Sequence, residues 1–194
     1  MRRISTAGVL FAALAVLFAG SVQAAPFTFV DAAGDSVDRR ASMDIVAVKY
    51  DVRQVDDAGP LTLVVEMKLA APPEGRLVYY TAAVQSDDCG YVLTTYVPGT
   101  AYVALGSAPA YFRTGCGSPP NVVDGSTETF LRAEFRIDGN TLRWSIPLAK
   151  LPKELRGGST FNELGAATRI VEPVNGFLTG LLIDQASTDQ SWSY

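Results

Sequence analysis

Apolar residues recur at every second position over much of this chain, and that period restricts the fold more than any other feature. In LTLVVEMKL, Leu61, Leu63, Val65, Met67 and Leu69 share one side, while Thr62, Glu66 and Lys68 share the other. FLRAEFRI sets Leu131, Ala133, Phe135 and Ile137 against Arg132, Glu134 and Arg136. TLRWSIP sets Leu142, Trp144 and Ile146 against Arg143 and Ser145, and DIVAVKYDV gathers Val46, Val48, Tyr50 and Val52. A pleated strand alternates its side chains in this way, whereas a helix repeats every 3.6 residues. One apolar and one polar face per strand is the mark of antiparallel sheets with a solvated side. Further strands are expected at 26–30, 77–85, 91–97, 101–106, 166–171 and 177–183.

Turn chemistry separates these runs. Asp56-Asp57-Ala58-Gly59-Pro60 precedes Leu61, and Ala71-Pro72-Pro73-Glu74-Gly75 follows Leu69. Asp138-Gly139-Asn140 reads as a three-residue hairpin loop. The helical candidate is a short one, around Leu148–Leu155 after Pro147. The stretch Ser107–Ser126 is rich in Gly, Pro and Ser and reads as a long surface excursion rather than a linker. About nine or ten short strands with so little helix predict an all-β fold, an antiparallel β-sandwich, with a closed barrel as the alternative.

The first residues, MRRISTAGVLFAALAVLFAGSVQA, combine a basic start with the apolar run Ala7–Gly20. That run is too short to span a bilayer comfortably, and small residues follow it. This is the pattern of a secretory signal peptide cut after Ala24, of the general secretory type. Residues 25–194 are then expected to form one exported domain with a sizeable core. Removing Arg2 and Arg3 takes the net charge from −4 to −6. Such a surface disfavours nucleic acid and anionic membranes, which require clustered Lys and Arg. Cys89 and Cys116 are the two cysteines, and in an oxidising compartment an even pair reads as a disulfide. Closing that loop would stabilise the fold by about 3–4 kcal/mol on a chain-entropy basis.

FVDAAGDSVDRRASMDI, residues 29–45, concentrates acids around a glycine. Gly34 permits a sharp bend, so Asp31 and Asp35 can wrap an ion, and Asp44 opens the next strand and can return beside Asp31. The same residues also make an ordinary turn, because Asp caps its own backbone. Both readings stand on the residues alone. The spacing is not that of an EF-hand. Catalysis has little to work with. The chain contains no histidine, which excludes Ser-His-Asp and Cys-His mechanisms and histidine zinc sites. No nucleophile elbow, phosphate loop or dinucleotide fingerprint occurs.

An apolar strand followed by D-x-x-G-D, Asp31 to Asp35, and then a loop ending in Asp44-Ile45 resembles DOMON-like β-sandwich domains. These are related to xylanase-associated carbohydrate-binding modules and to the C-terminal domain of glucodextranase. LRWSIPLAKLP resembles their apolar strand ending in proline, and GLLIDQAS, with Asp184, resembles their terminal strand. The Cys89–Cys116 insertion departs from that family. So does the loop between Asp35 and Asp44, which lacks the usual Gly-Pro and aromatic residues. The resemblance implies a structural calcium at Asp31, Asp35 and Asp44, and a non-catalytic carbohydrate-binding role. Candidate aromatic platforms are Tyr96 and Tyr111 near the cysteines, and Trp192, which is either exposed or closes the sandwich. Trp144, alternating with Leu142 and Ile146, is expected in the core. The leading expectation is a secreted binding module for carbohydrate or cell-envelope glycan. The alternative is a protein-interaction or inhibitor module acting through the segment 89–116, and an enzyme comes third.

Overall fold

Two antiparallel sheets enclose one apolar interior. The computed structural model describes residues 25–37, 39–56, 59–73, 78–86, 89–97, 110–116, 129–151, 160–174 and 177–193. For residues 86, 89, 96, 97, 110–116, 129, 130, 171–174 and 177–180 it describes the backbone alone. The first sheet holds β1 (Phe27–Val30), β2 (Ile45–Gln54), β3 (Leu61–Leu69), β9 (Thr141–Pro147) and β8 (Glu134–Asp138), in the order β1-β2-β3-β9-β8. The second holds β12 (Phe177–Thr188), β11 (Glu163–Val174), β4 (Val78–Ser86), β5 (Cys89–Val97), β6 (Ala110–Cys116) and β7 (Thr129–Arg132), in the order β12-β11-β4-β5-β6-β7. A two-stranded piece pairs β10 (Thr160–Phe161) with β13 (Trp192–Ser193). Among the described residues no sheet closes on itself, so the fold is an all-β sandwich and not a barrel.

The alternation seen in the sequence is what fills the interior. Val48, Tyr50, Val52, Leu63, Val65, Met67, Leu69, Leu142, Trp144 and Ile146 come from the first sheet. Val78, Tyr80, Ala82, Val84, Tyr91, Leu93, Leu164, Ala166, Ile170 and Ile183 meet them from the second. Tyr80 is fully buried while its neighbour Tyr79 is half-buried, as opposite faces of a strand require. Three hydroxyls also bind the first sheet and the loop leading into β2 to the second sheet. The Tyr50 hydroxyl lies 3.1 Å from Ala83 O and 3.0 Å from Gly165 O. Tyr80 Oη donates to Ser42 O at 2.9 Å, and Thr168 Oγ1 donates to Met43 O at 2.7 Å. Burial lifts the Tyr50 phenol far above its ordinary range, so it stays neutral and able to donate.

Several expectations are corrected. Thirteen strands are present among the described residues, more than the nine or ten expected. FLRAEFRI is not one strand. It breaks at Ala133, so that β7 belongs to the six-stranded sheet and β8 to the five-stranded one. Ala133 is buried at that corner. Leu131, Ala133 and Phe135 keep the alternation through the break because both halves border the same interior, whereas Ile137, expected on the same face, is exposed. Part of the expected surface excursion, residues 110–116, is strand β6, hydrogen-bonded between β5 and β7. The hairpin at Gly139 has two loop residues, since Asp138 pairs with Thr141, and Gly139 has φ 56° as the first position of a type II′ turn demands. Of the helical candidate, one 3₁₀ turn, Leu148–Lys150, is described. The expected leader and the expected strand 101–106 lie outside the described residues.

Trp192 belongs to the core rather than to a ligand face. It is 5% exposed. Its ring stacks on Phe161 at 5.8 Å and meets Tyr50 at 6.1 Å. Nε1 donates to Ala25 O at 3.0 Å, which fastens the end of the chain to the residues before β1. Trp192→Ala is therefore expected to destabilise the fold by about 3–5 kcal/mol, read from the urea midpoint. A loss under about 0.5 kcal/mol, the ordinary effect of a surface change, would place the ring outside the core.

Candidate metal centre

The site forms where β1 and β12, the edge strands of the two sheets, come together. Three hydrogen bonds donated by backbone N–H groups shape the loop from Asp31 to Asp44 and hold it there. Asp31 N donates to Val46 O at 2.9 Å, which extends the β1–β2 pairing by one bond. Val37 N donates to Ile183 O at 2.9 Å, which attaches the middle of the loop to β12. Gly34 N donates to Asp44 Oδ2 at 2.7 Å and closes the turn. Gly34 has φ 90°, a region that favours glycine over any side-chain-bearing residue.

A β-bulge lies on either side. In β2, Ile45 pairs with Leu69 and Ala47 with Lys68, so Val46 is extra, and its carbonyl receives Asp31 N. In β12, Asp184 pairs with Thr168 and Leu182 with Arg169, so Ile183 is extra. Regular alternation would bury one of Ile183 and Asp184 and expose the other. The bulge turns both inward, with 2% and 6% exposure. Asp184 then reaches the first sheet. Its Oδ2 accepts from Ile45 N at 2.6 Å and its Oδ1 from Gln185 N at 2.8 Å.

The result is a carboxylate cluster. Oxygens of Asp31, Asp35 and Asp184 lie within 4.8 Å of one another. Asp184 forms the buried floor, Asp31 is half-buried and Asp35 is exposed. Asp44 stands close enough to raise the carboxyls of both Asp31 and Asp184. Among the described residues, nothing hydrogen-bonds to two buried carboxylate oxygens of this cluster, Asp31 Oδ2 and Asp44 Oδ1. Oxygens bound to one calcium at 2.3–2.6 Å are at most about 5 Å apart, so the three-carboxylate spacing suits that ion. Hard oxygen donors without sulfur or imidazole suit calcium or magnesium rather than zinc or copper.

Of the expected acids, the structure brings Asp31 and Asp35 together and keeps Asp44 just behind them as a hydrogen-bond acceptor for the turn. Asp184 completes the trio, and the sequence pattern does not assign it that role. The available signal was an aspartate inside the apolar run GLLIDQAS, where a strand tolerates a charge only if something receives it. Tyr96 and Tyr111 lie on β5 and β6, opposite Tyr79 and Thr94 in register. Their side chains are outside the described set. No protein-family model, curated protein or solved structure matches this chain.

Electrostatics favours a cation here. Burial, with Asp35, Asp184 and Asp44 adding repulsion, raises the Asp31 carboxyl above its ordinary value, against the pull of the Ala32 N–H. Burial raises Asp184 likewise, opposed by the N–H groups of Ile45 and Gln185 and assisted by Asp35 and Asp44. A carboxyl with a raised folded-state pKa makes its ionisation work against folding. That penalty is complete above the folded pKa and vanishes below the ordinary value of 3.8. Without divalent cations, Asp31→Asn should thus be more stable than the wild type at neutral pH. The gap should close as pH falls through the raised range. Saturating calcium should reverse the order at neutral pH, because the ion then favours the ionised form. Urea midpoints between neutral and mildly acidic pH, with chelator and with calcium, check the three statements.

Proposed function

We propose that the protein is an exported, non-catalytic binding module, a β-sandwich held by a structural calcium and directed at carbohydrate or cell-envelope glycan. The observation that carries the calcium is the convergence of Asp31, Asp35 and Asp184, with Asp31 Oδ2 and Asp44 Oδ1 unpartnered among the described residues. Asp31 and Asp35 belong to the loop of the first sheet, and Asp184 to the second. An ion among them ties the two sheets at their shared edge, and this is the sense in which it is structural. The leader pattern and the cysteine pair support an extracellular compartment, where calcium is plentiful enough for a site of modest affinity.

The carbohydrate reading rests on the resemblance to DOMON-like domains and on the outer face of the six-stranded sheet. There Tyr79 is half-buried with the Arg169 guanidinium carbon 5.8 Å from its ring centre. Tyr96 is its register partner. A planar ring beside a cation is a surface on which a sugar can stack and hydrogen-bond. The same proposal includes a Cys89–Cys116 disulfide. The two residues are direct partners in the β5–β6 register, and such partners have Cα atoms about 4.5–5.5 Å apart, within disulfide reach. Iodoacetamide should label neither cysteine before reduction and both after it.

Calorimetry tests the ion. At a hundredfold excess over its dissociation constant, calcium should add about 2.7 kcal/mol to the unfolding free energy, with a matching rise in Tm. Asp31→Asn and Asp184→Asn should abolish that rise, while Asp138→Asn, on the exposed hairpin, should keep it. An unchanged Tm in chelator and in calcium would remove the metal from the account.

A further inference from the structure

We infer that the cation seat is also a ligand seat, in which the ion is shared between the three aspartates and two adjacent hydroxyls of a neutral sugar. This rests on the calcium reading above and sets the sugar on the ion rather than on the Tyr79 face, naming the atoms through which it binds.

Four observations lead there. First, the protein surrounds the seat on one side. Asp184 lies beneath it, while Asp35 is exposed. Calcium takes six to eight oxygens, so three carboxylates leave several positions to be filled, and Asp35 marks the exposed side of the seat. Second, the site is built rather than incidental. Asp44 is 4% exposed, its Oδ1 has no partner among the described residues, and its charge acts on both Asp31 and Asp184. A buried carboxylate oxygen left in that state calls for a partner, and a cation among the neighbouring acids would supply one.

Third, the charges choose the ligand. Asp31, Asp35, Asp44 and Asp184 bring four negative charges to a divalent ion. Two remain in excess, so a further carboxylate or phosphate is repelled and neutral oxygens are preferred. Adjacent hydroxyls on a pyranose ring offer two such oxygens to one ion. Fourth, exposed aliphatic residues border the acids along the chain, and one of them, Val37, is fixed on β12. The described residues include seven large apolar side chains that are exposed. Four of them, Val30, Val37, Leu181 and Leu182, lie within three residues of Asp31, Asp35 or Asp184. Val30 and Val37 are each 79% exposed, and Val37 is hydrogen-bonded to β12 beside Leu182. Val37, bonded to the residue before Asp184, and Leu182, next to that acceptor, put exposed aliphatic surface beside the acids, as a contact surface does. The carbon–hydrogen face of a sugar is a suitable cover for it, with its hydroxyls turned to the ion.

The test uses the full mature chain and three immobilised neutral polysaccharides, xylan, mannan and a β-glucan, with phosphatidylglycerol vesicles as a separate arm. Retention on at least one polysaccharide in about 1 mM calcium is expected, falling about tenfold or more in chelator. Asp35→Asn should lose that retention together with the calcium-induced rise in Tm. Val37→Ser should weaken retention and keep the rise in Tm, which separates the aliphatic contact from the ion. Retention that is equal in calcium and in chelator would overturn the inference by placing the sugar elsewhere. A rise in Tm with calcium but no retention on any of the three would overturn it while leaving the structural ion standing. Binding to the anionic vesicles in place of the polysaccharides would overturn the charge argument. If calcium leaves Tm unchanged, the ion itself fails, and the ligand seat with it.

Discussion

The hydrogen bond from Ile45 N to Asp184 Oδ2 joins residues 139 apart in the chain and one sheet to the other. The carboxylate comes from β12, near the end of the sequence. The amide opens β2, near its beginning. A buried charge is tolerated only when its oxygens are occupied, and here two amides occupy them. The contact aligns the end of the 31–44 loop with β12. The bond from Val37 N to Ile183 O then holds the middle of that loop on the same strand. Tyr80 and Thr168 secure Ser42 and Met43 from the same side. The loop is thereby a fixed part of the sandwich edge, and Asp31 and Asp35 are presented at defined places.

The arrangement works against the stability of the metal-free chain. Like charges close together in a partly buried site repel, and each gives up hydration. A protein selected for stability alone would place a lysine there or separate the acids. Binding sites commonly retain such unfavourable pairs because a ligand relieves them. The two bulges belong to the same logic. Each interrupts a ladder, and together they supply the Val46 carbonyl for Asp31 N and turn Asp184 inward. Elsewhere the sheets follow ordinary rules. On the outer face of the first sheet, Glu66 takes Arg53 at 3.1 Å and Arg143 at 2.9 Å across neighbouring strands. There opposite charges face each other, in contrast to the acid cluster.

Much of the architecture was legible in the sequence, because burial on one face of a strand writes a period of two into the chain. Tyr50, Met67 and Trp144 follow from that period directly. β6 did not, since AYFRTGC lacks a clean apolar alternation and is flanked by Gly, Pro and Ser. The change of sheet at Ala133 was also hidden, because the inward face is continuous across it. Asp31 and Asp35 were readable from local turn chemistry around Gly34. Asp184 was not. Its direction depends on a bulge, and a bulge depends on how two distant strands pair. Trp192 was open to two readings because a tryptophan near a chain end carries no periodic context, and the pairing of β10 with β13 decides it for the core.

Anomalous diffraction from a crystal grown or soaked with terbium, a calcium surrogate with strong scattering, shows whether an ion sits among these carboxylates. An anomalous peak is expected among the carboxylates of Asp31, Asp35 and Asp184, with Asp44 behind it, and it should be lost in the Asp184→Asn protein. A sandwich with these residues in place and no peak among them at saturating metal would contradict a calcium centre there, as would a peak confined to other surface acids.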